Sequence, residues 1–316
     1  MISKNTEYKK ISQELNFKLN KFLRFSDEEG LYIAVGEIDG RKVCLKIIPL
    51  KLSGRVEWIK KDVQVSQLLS KKTNLDFNVL KFIKEGQTEK SYWFLREYVE
   101  YNSLANYEED GFLHGYDIVE QEFLNDDVVN KVITILQQFR EIEVNNVKLS
   151  DYKRFPVKIS DKLSIVEDAM KIDLRNVEDF FDRNLVMYLS DEKTPTAMGD
   201  FSPSNLLIER DQFYIFDFEH FGRDNYMIDT AYFWLFIWRY KEWQELLIKA
   251  LVKNETDQKC FNLSVIRIII HVYSSYLTIA DAELRKKMLA SMQNFIWKKY
   301  LLAAGISFEE LIRVDV

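Results

Sequence analysis

A chain of 316 residues with 47% hydrophobic and 14% aromatic content has ample apolar surface for one large core or two subdomains. Its formal charge of −6, with basic residues in short runs such as Lys60-Lys61, Lys71-Lys72 and Arg285-Lys286-Lys287, excludes the clustered positive surface that nucleic-acid binding needs. Two cysteines, Cys44 and Cys260, exclude a disulfide framework and a Cys/His metal cluster; a reducing cytoplasm is the default, and Met1 to Glu7 lacks the apolar core of a signal peptide.

The first strong signals along the chain are β. Leu31 to Val35 predicts a strand, Asp39-Gly40 a tight hairpin turn, and Arg41 to Ile47 the returning strand. Lys46 lies on that strand among the apolar Cys44, Leu45 and Ile47, where an ammonium is costly unless it meets a phosphate or a carboxylate. Before these strands, Phe25 to Gly30 offers one glycine and three acids, so no glycine-rich phosphate cradle is visible. From about Arg55 to Ser70, Val56, Ile59, Val63 and Leu69 recur at helical spacing, with Glu57 and Asp62 as its acids. Tyr92 to Val99 reads as a further strand.

From Glu97 through Asn130 there is no Lys or Arg, while acids include Glu108, Glu109, Asp110, Asp117, Glu120, Glu122, Asp126 and Asp127. Such a field is either a solvated face or an attractor for an amine-bearing molecule.

The segment Met198-Gly199-Asp200-Phe201-Ser202-Pro203-Ser204-Asn205, followed by Phe213-Tyr214-Ile215-Phe216-Asp217-Phe218-Glu219, holds the richest chemistry. A departing γ-phosphate spreads charge over several oxygens, so its transfer needs hard cations, oxygen ligands to hold them and an acceptor held in line. Asp200 is suited to orient an acceptor hydroxyl and take its proton late, and Asn205 and Asp217 to offer oxygens to Mg²⁺. Phe213 to Phe218 predicts a short buried strand that delivers Asp217 at its end. An ordinary polar turn of Asx and Ser residues is the competing account of the first segment.

Asp200 to Asn205, with Asp217 beyond and Asp229 twelve residues further on, resembles the catalytic and metal loops of the aminoglycoside phosphotransferase and choline kinase superfamily, relatives of the protein kinases. Asp217-Phe218-Glu219-His220 is most similar to the triplet region of the choline, ethanolamine and bacterial sugar kinases. Met198 departs from the pattern: members usually carry His there, supporting the loop backbone.

The resemblance implies an α+β, two-lobed protein-kinase-like fold, with a small β-rich nucleotide-binding lobe over residues 1–96 and a larger, mostly helical catalytic and acceptor-binding lobe over 97–316. It also implies ATP and Mg²⁺ as cofactors and transfer to a hydroxyl of a small molecule such as an aminoglycoside, an amino alcohol or a sugar. Lys46 becomes the clamp on the α- and β-phosphates, Asp62 its carboxylate partner, and the backbone at Glu97 and Val99 the adenine contact. A choline or ethanolamine kinase-like enzyme, or a pseudokinase that only binds nucleotide, remain alternatives.

Asp229 is placed to cap a helix reading Thr230 to Trp238, aromatic nearly all round and therefore buried, from which Tyr232, Trp234 or Trp238 could also stack on an acceptor. The apolar stretch Leu263 to Ile279 is a packed helix, not a membrane span, because Arg267 and His271 interrupt it. His271 reads as a satisfied buried histidine, whereas His220 is a candidate to approach acceptor or Mg²⁺.

Overall fold

The computed structural model describes residues 6–26, 30–100, 102–106, 118–143, 150–151, 160–189, 195–279 and 282–315. The chain divides into two compact units, the first formed by Met1–Asn102 with Leu207–His220, the second by Ser103–Leu206 with Phe221–Val316. Residues 207–220 thus return to the β-rich first unit, whereas a single boundary after residue 96 would leave them in the second.

In the first unit, helix α1 (Thr6–Glu14) precedes strands β1 (Lys18–Ser26), β2 (Leu31–Ile38) and β3 (Arg41–Pro49). Helix α2 (Ser53–Leu69) follows, then the short β4 (Asn78–Val79), β5 (Phe82–Gln87) and β6 (Ser91–Glu97). Five strands form one sheet in the order β1-β2-β3-β6-β5, antiparallel throughout. The β2–β3 hairpin turns through Asp39 and Gly40 at φ 50° and 74°. Positive φ at both central residues matches the right-handed twist of the strands, which is why an Asp-Gly pair serves there.

Strand alternation then sorts the side chains. Val43, Leu45, Ile47, Trp93 and Leu95 share one face and pack with Tyr8 and Ile11 of α1. Ile48, Tyr92 and Phe94 point the other way, against Val56, Ile59 and Val63 of α2. Lys46 and Arg96 have the parity of this second face, in a register that pairs Lys46 with Phe94 and Cys44 with Arg96. A separate parallel pairing sets Tyr214 and Ile215 of the strand Gln212–Ile215 beside Asn78 and Val79 of β4.

The second unit is mostly helical. Its helices are α3 (Asp126–Glu141), α4 (Ser160–Met170), α5 (Arg175–Leu189), α6 (Ile228–Phe236), α7 (Lys241–Leu251), α8 (Glu255–Leu277), α9 (Ala282–Leu289), α10 (Met292–Ala304) and α11 (Phe308–Ile312). Asn125, Asn254, Ser291 and Ser307 cap α3, α8, α10 and α11 with side-chain oxygens on free backbone N–H groups. The core centres on α8, buried continuously from Cys260 to Ile270, with Trp234, Phe261, Trp297 and Tyr300 among its largest members.

By length and composition α8 passes for a membrane span, with a window of mean hydropathy 1.3, but 78% of that window is buried inside the protein. Arg267 interrupts it, and the cost of burying its charge is offset by Asp224, which the guanidinium grips through two bonds of 2.5 and 2.7 Å. His271 corrects an expectation: it is exposed, with Nδ1 3.5 Å from Lys162 Nζ. It lies on the outer strip of the helix, whose neighbours Val272, Tyr273 and Tyr276 stay in the core. Cys44 and Cys260 are buried thiols not joined in a disulfide.

Candidate functional site

The sequence-predicted residues divide between the units, Lys46, Asp62, Glu97, Val99 and Asp217 in the first, Asp200 and Asn205 in the second. The strand leading to Asp217 is shorter than predicted. It ends at Ile215, and Phe218–His220 forms one turn of 3₁₀ helix. Asp217 between them has φ 70°, a left-handed conformation uncommon for a residue other than glycine, though Asp tolerates it better than most. The turn bends the chain so that both carboxylates, Asp217 and Glu219, face Lys46.

Lys46 is 13% exposed at its side chain, hydrogen-bonds Glu219 and lies 3.7 Å from Asp217 Oδ1. Burial works against its charge, yet Asp217, Glu219 and Asp62 together push the ammonium above the ordinary lysine range. Burial raises the Glu219 carboxyl to about 7 despite its bond to Lys46. The same burial acts on Asp217, but Lys46 and Arg96 outweigh it and hold that carboxyl below its usual value. Asp217 therefore stays ionised. Arg96 lies over the Phe216 ring at 5.0 Å, which fixes a second cation beside the acids.

Asp62, 2% exposed on the buried face of α2, does something other than pair with the lysine. Its Oδ1 accepts the Phe218 N–H at 2.9 Å and the Ser66 hydroxyl at 3.3 Å, so the helix holds the backbone of the turn after Asp217. Its influence on Lys46 is through the field alone. Glu57, the other acid of this helix, is exposed and meets Lys60 at 3.4 Å. The carboxylate hydrogen-bonded to Lys46 is Glu219, a residue to which the sequence pattern assigns no role. A lysine with an acid-rich turn returning 173 residues later leaves no local signal.

Glu97 lies at the end of β6, where its N–H donates to the Lys81 carbonyl at 2.8 Å and its carboxylate accepts the Lys81 N–H at 2.7 Å. Its N–H, committed to Lys81, is thus not open to an adenine. Val99 is half-buried two residues beyond the strand. His220 sits with its ring 5.4 Å from Trp58 of α2, and burial lowers its pKa.

In the second unit, Gly199 has φ 79°, which favours glycine just before Asp200. Phe201 is fully buried and anchors the loop between Phe139 and Phe233, at ring distances of 5.7 and 5.9 Å. Asp200 remains partly open beside it. The Asp200 carbonyl accepts the Ser202 N–H at 2.9 Å and the Asn205 Nδ2 at 3.0 Å, after which Pro203–Asn205 makes a 3₁₀ turn. With its amide nitrogen committed to Asp200, Asn205 could offer a cation only its amide oxygen.

Asp229 does not cap α6. It lies within the helix, whose N-cap position is Met227, and its two oxygens accept the N–H groups of Met198 at 2.7 Å and Gly199 at 2.8 Å. Burial pushes this carboxyl up to about 7, against the opposing pull of those two N–H donors. Arg140, hydrogen-bonded to Thr230 at 3.0 Å, adds a field that favours the charge. Met198 is itself fully buried. The loop backbone at that position is thus held by a carboxylate thirty residues on, whatever the side chain of residue 198.

On α6 every residue is buried except Tyr232, which is partly open and stacks on Phe236 with planes 3° apart. Burial, then the charge of Asp200, raises its phenol well above the ordinary value, so it remains an O–H donor. Trp234 and Trp238 belong to the core.

Whether these residues suit a divalent cation can be tested on Asp217. Its Oδ1 is buried and has no hydrogen-bond partner, an orphaned anionic acceptor of the sort a hard cation satisfies. Among the described residues no group of three or more His, Cys, Asp or Glu is set to hold a metal, so a cation here would take few protein ligands and keep other oxygens, as Mg²⁺ does with phosphates. Asp27, Glu28 and Glu29, and the acids at Glu108, Glu109, Asp110 and Asp117, lie outside the described residues.

No protein-family model matches the sequence, and no curated protein does. Solved structures do match its fold. The GDP and kanamycin complex of APH(2")-IIia is 14% identical, with a TM-score of 0.64 over 93% of this chain and 98% of that one. The choline kinase LicA from Streptococcus pneumoniae is 11% identical, with a TM-score of 0.60 over 95% and 99%. The amicoumacin kinase hAmiN, in complex with AMP-PNP, Ca²⁺ and Ami, is 14% identical, with a TM-score of 0.56 over 93% and 94%. The chain therefore has the two-lobed, kinase-like α+β fold that these small-molecule phosphotransferases share.

Proposed function

We propose that the protein is an ATP- and Mg²⁺-dependent phosphotransferase acting on a hydroxyl of a small molecule. The observation that carries this reading is Asp217, ionised beside Lys46, with one buried oxygen that no hydrogen bond satisfies. The fold supports it, since the solved proteins that share it include complexes with GDP and kanamycin and with AMP-PNP and Ca²⁺.

In this reading Asp200 accepts the acceptor's hydroxyl proton as its oxygen bonds to the γ-phosphorus and the bond to the leaving ADP oxygen breaks. Lys46 binds the α- and β-phosphates. Asp217 and Asn205 hold Mg²⁺, which supplies neutralisation of the developing phosphate charge. The backbone at Glu97 and Val99 serves the adenine. The acceptor is an aminoglycoside, an amino alcohol or a sugar. Retention of the Asp229 hold on Met198 and Gly199 favours a working loop over a module that only binds nucleotide.

Labelled ATP offered with separate pools of amino alcohols, sugars and aminoglycosides identifies the acceptor class. On the phosphorylated pool, Asp200→Ala lowers kcat by roughly a hundred- to ten-thousandfold and leaves ATP affinity nearly unchanged. Undiminished turnover in that variant refutes the assignment.

A further inference from the structure

Two carboxylates compete for one ammonium in the first unit. Glu219 holds Lys46 by a hydrogen bond, while Asp217 Oδ1 stands 3.7 Å from the same nitrogen. The third acid, Asp62, is committed to the Phe218 N–H and the Ser66 hydroxyl. Arg96 lies on the Phe216 ring and His220 against Trp58. If Glu219 carried no charge, the nearest anion for Lys46 would be Asp217. Closing that gap would turn the 3.7 Å ion pair into a hydrogen bond to the oxygen that now has none.

We propose that Glu219 is a positioning residue that holds Lys46 off Asp217, keeping the Asp217 oxygen open to a divalent cation and the ammonium available to phosphate. The division of labour follows from reach. The shorter acid on α2 secures the loop backbone, and the longer one, carried by the loop itself, steers the lysine. This inference rests on the reading of Lys46 and Asp217 as nucleotide and metal residues.

The experiment is a double-mutant cycle on the full chain, with ATP binding followed by calorimetry across a range of Mg²⁺ concentrations. Glu219→Gln keeps the length of the side chain and removes its charge. It raises the Mg²⁺ concentration for half-maximal ATP binding by roughly ten- to a hundredfold, the usual effect of losing a group that orients a metal ligand. In a Lys46→Met background the same change has an effect of less than about twofold, because the lysine it restrains is gone. Glu219→Asp restores part of the loss. Electron paramagnetic resonance of Mn²⁺ with the nucleotide-free protein gives the same comparison where Lys46→Met binds ATP too weakly, and circular dichroism establishes that each variant is folded.

An equal loss in both backgrounds overturns the inference, since Glu219 would then act on the cation without Lys46. So does the absence of any loss. Failure of the unmutated protein to bind ATP or GTP with Mg²⁺ is a different result, which removes the phosphotransferase reading and this inference with it.

Discussion

Replacing Asp229 by Asn is an informative perturbation of the second unit, because charge and hydrogen bonding at that position pull in opposite directions. The wild-type carboxyl has a folded pKa of about 7 against an ordinary 3.8, with burial as the main cause. A raised pKa means that the folded state holds its proton more tightly than the unfolded one. The resulting stability is fully present below about pH 4, declines as pH rises, and is gone once pH passes about 7. Each pH unit between those two values corresponds to about 1.4 kcal/mol, so wild type loses about 2 kcal/mol between pH 5.5 and pH 8 from this residue.

Asparagine does not titrate. At pH 5.5 a neutral carboxyl and an amide each present one good acceptor to the Met198 and Gly199 N–H groups, and the two proteins should agree within about 1 kcal/mol. By pH 8 the variant gains about 2 kcal/mol relative to wild type. Urea unfolding at the two pH values, followed by circular dichroism, measures the difference directly. Turnover should fall in the variant at pH 8, where only the carboxylate can accept both N–H groups. A variant whose relative stability is independent of pH, or declines as pH rises, refutes the argument.

Arg267→Met should destabilise the second unit by about 3–5 kcal/mol, because it strands the buried Asp224 charge; adding Asp224→Asn should recover much of that loss in the urea midpoint. Gly199→Ala places a Cβ at φ 79° and should cost about 1–2 kcal/mol, with a matching fall in thermal midpoint and a loss of turnover larger than that of nucleotide affinity.

What is legible in the sequence is mostly local. The Asp39-Gly40 turn, the alternation that sets Lys46 apart from Leu45 and Ile47, and the face of α2 bearing Asp62 all follow from short-range periods. The spacing of Asp200, Asn205, Asp217 and Asp229 exposes the chemistry without giving the bonds. Asp229 resembles a helix cap because it precedes an apolar run, and only tertiary structure brings its oxygens to residues 198 and 199. The same limit hides Glu219 behind Asp62 as the hydrogen-bonding partner of Lys46. His271 misleads for a subtler reason. The apolar pattern of α8 extends to Tyr276 and keeps Val272, Tyr273 and Tyr276 in the core, but past Ile270 one strip of the helix, with His271 and Ser275, is exposed.

The discontinuous make-up of the first unit has a consequence for synthesis. A fragment ending at Asn102 lacks residues 207–220, and with them the strand beside β4 and both acids that face Lys46. Lys46 and Arg96 would then share the single carboxylate of Asp62, which itself would lack the Phe218 N–H. On the ribosome the β-sheet can be complete long before residue 220 emerges, an interval of about 6–24 s for the 118 residues from 102 to 220 at roughly 5–20 residues per second. During that interval the nascent sheet carries an unmet positive charge on the face that α2 covers, and the last short turn to arrive closes the unit.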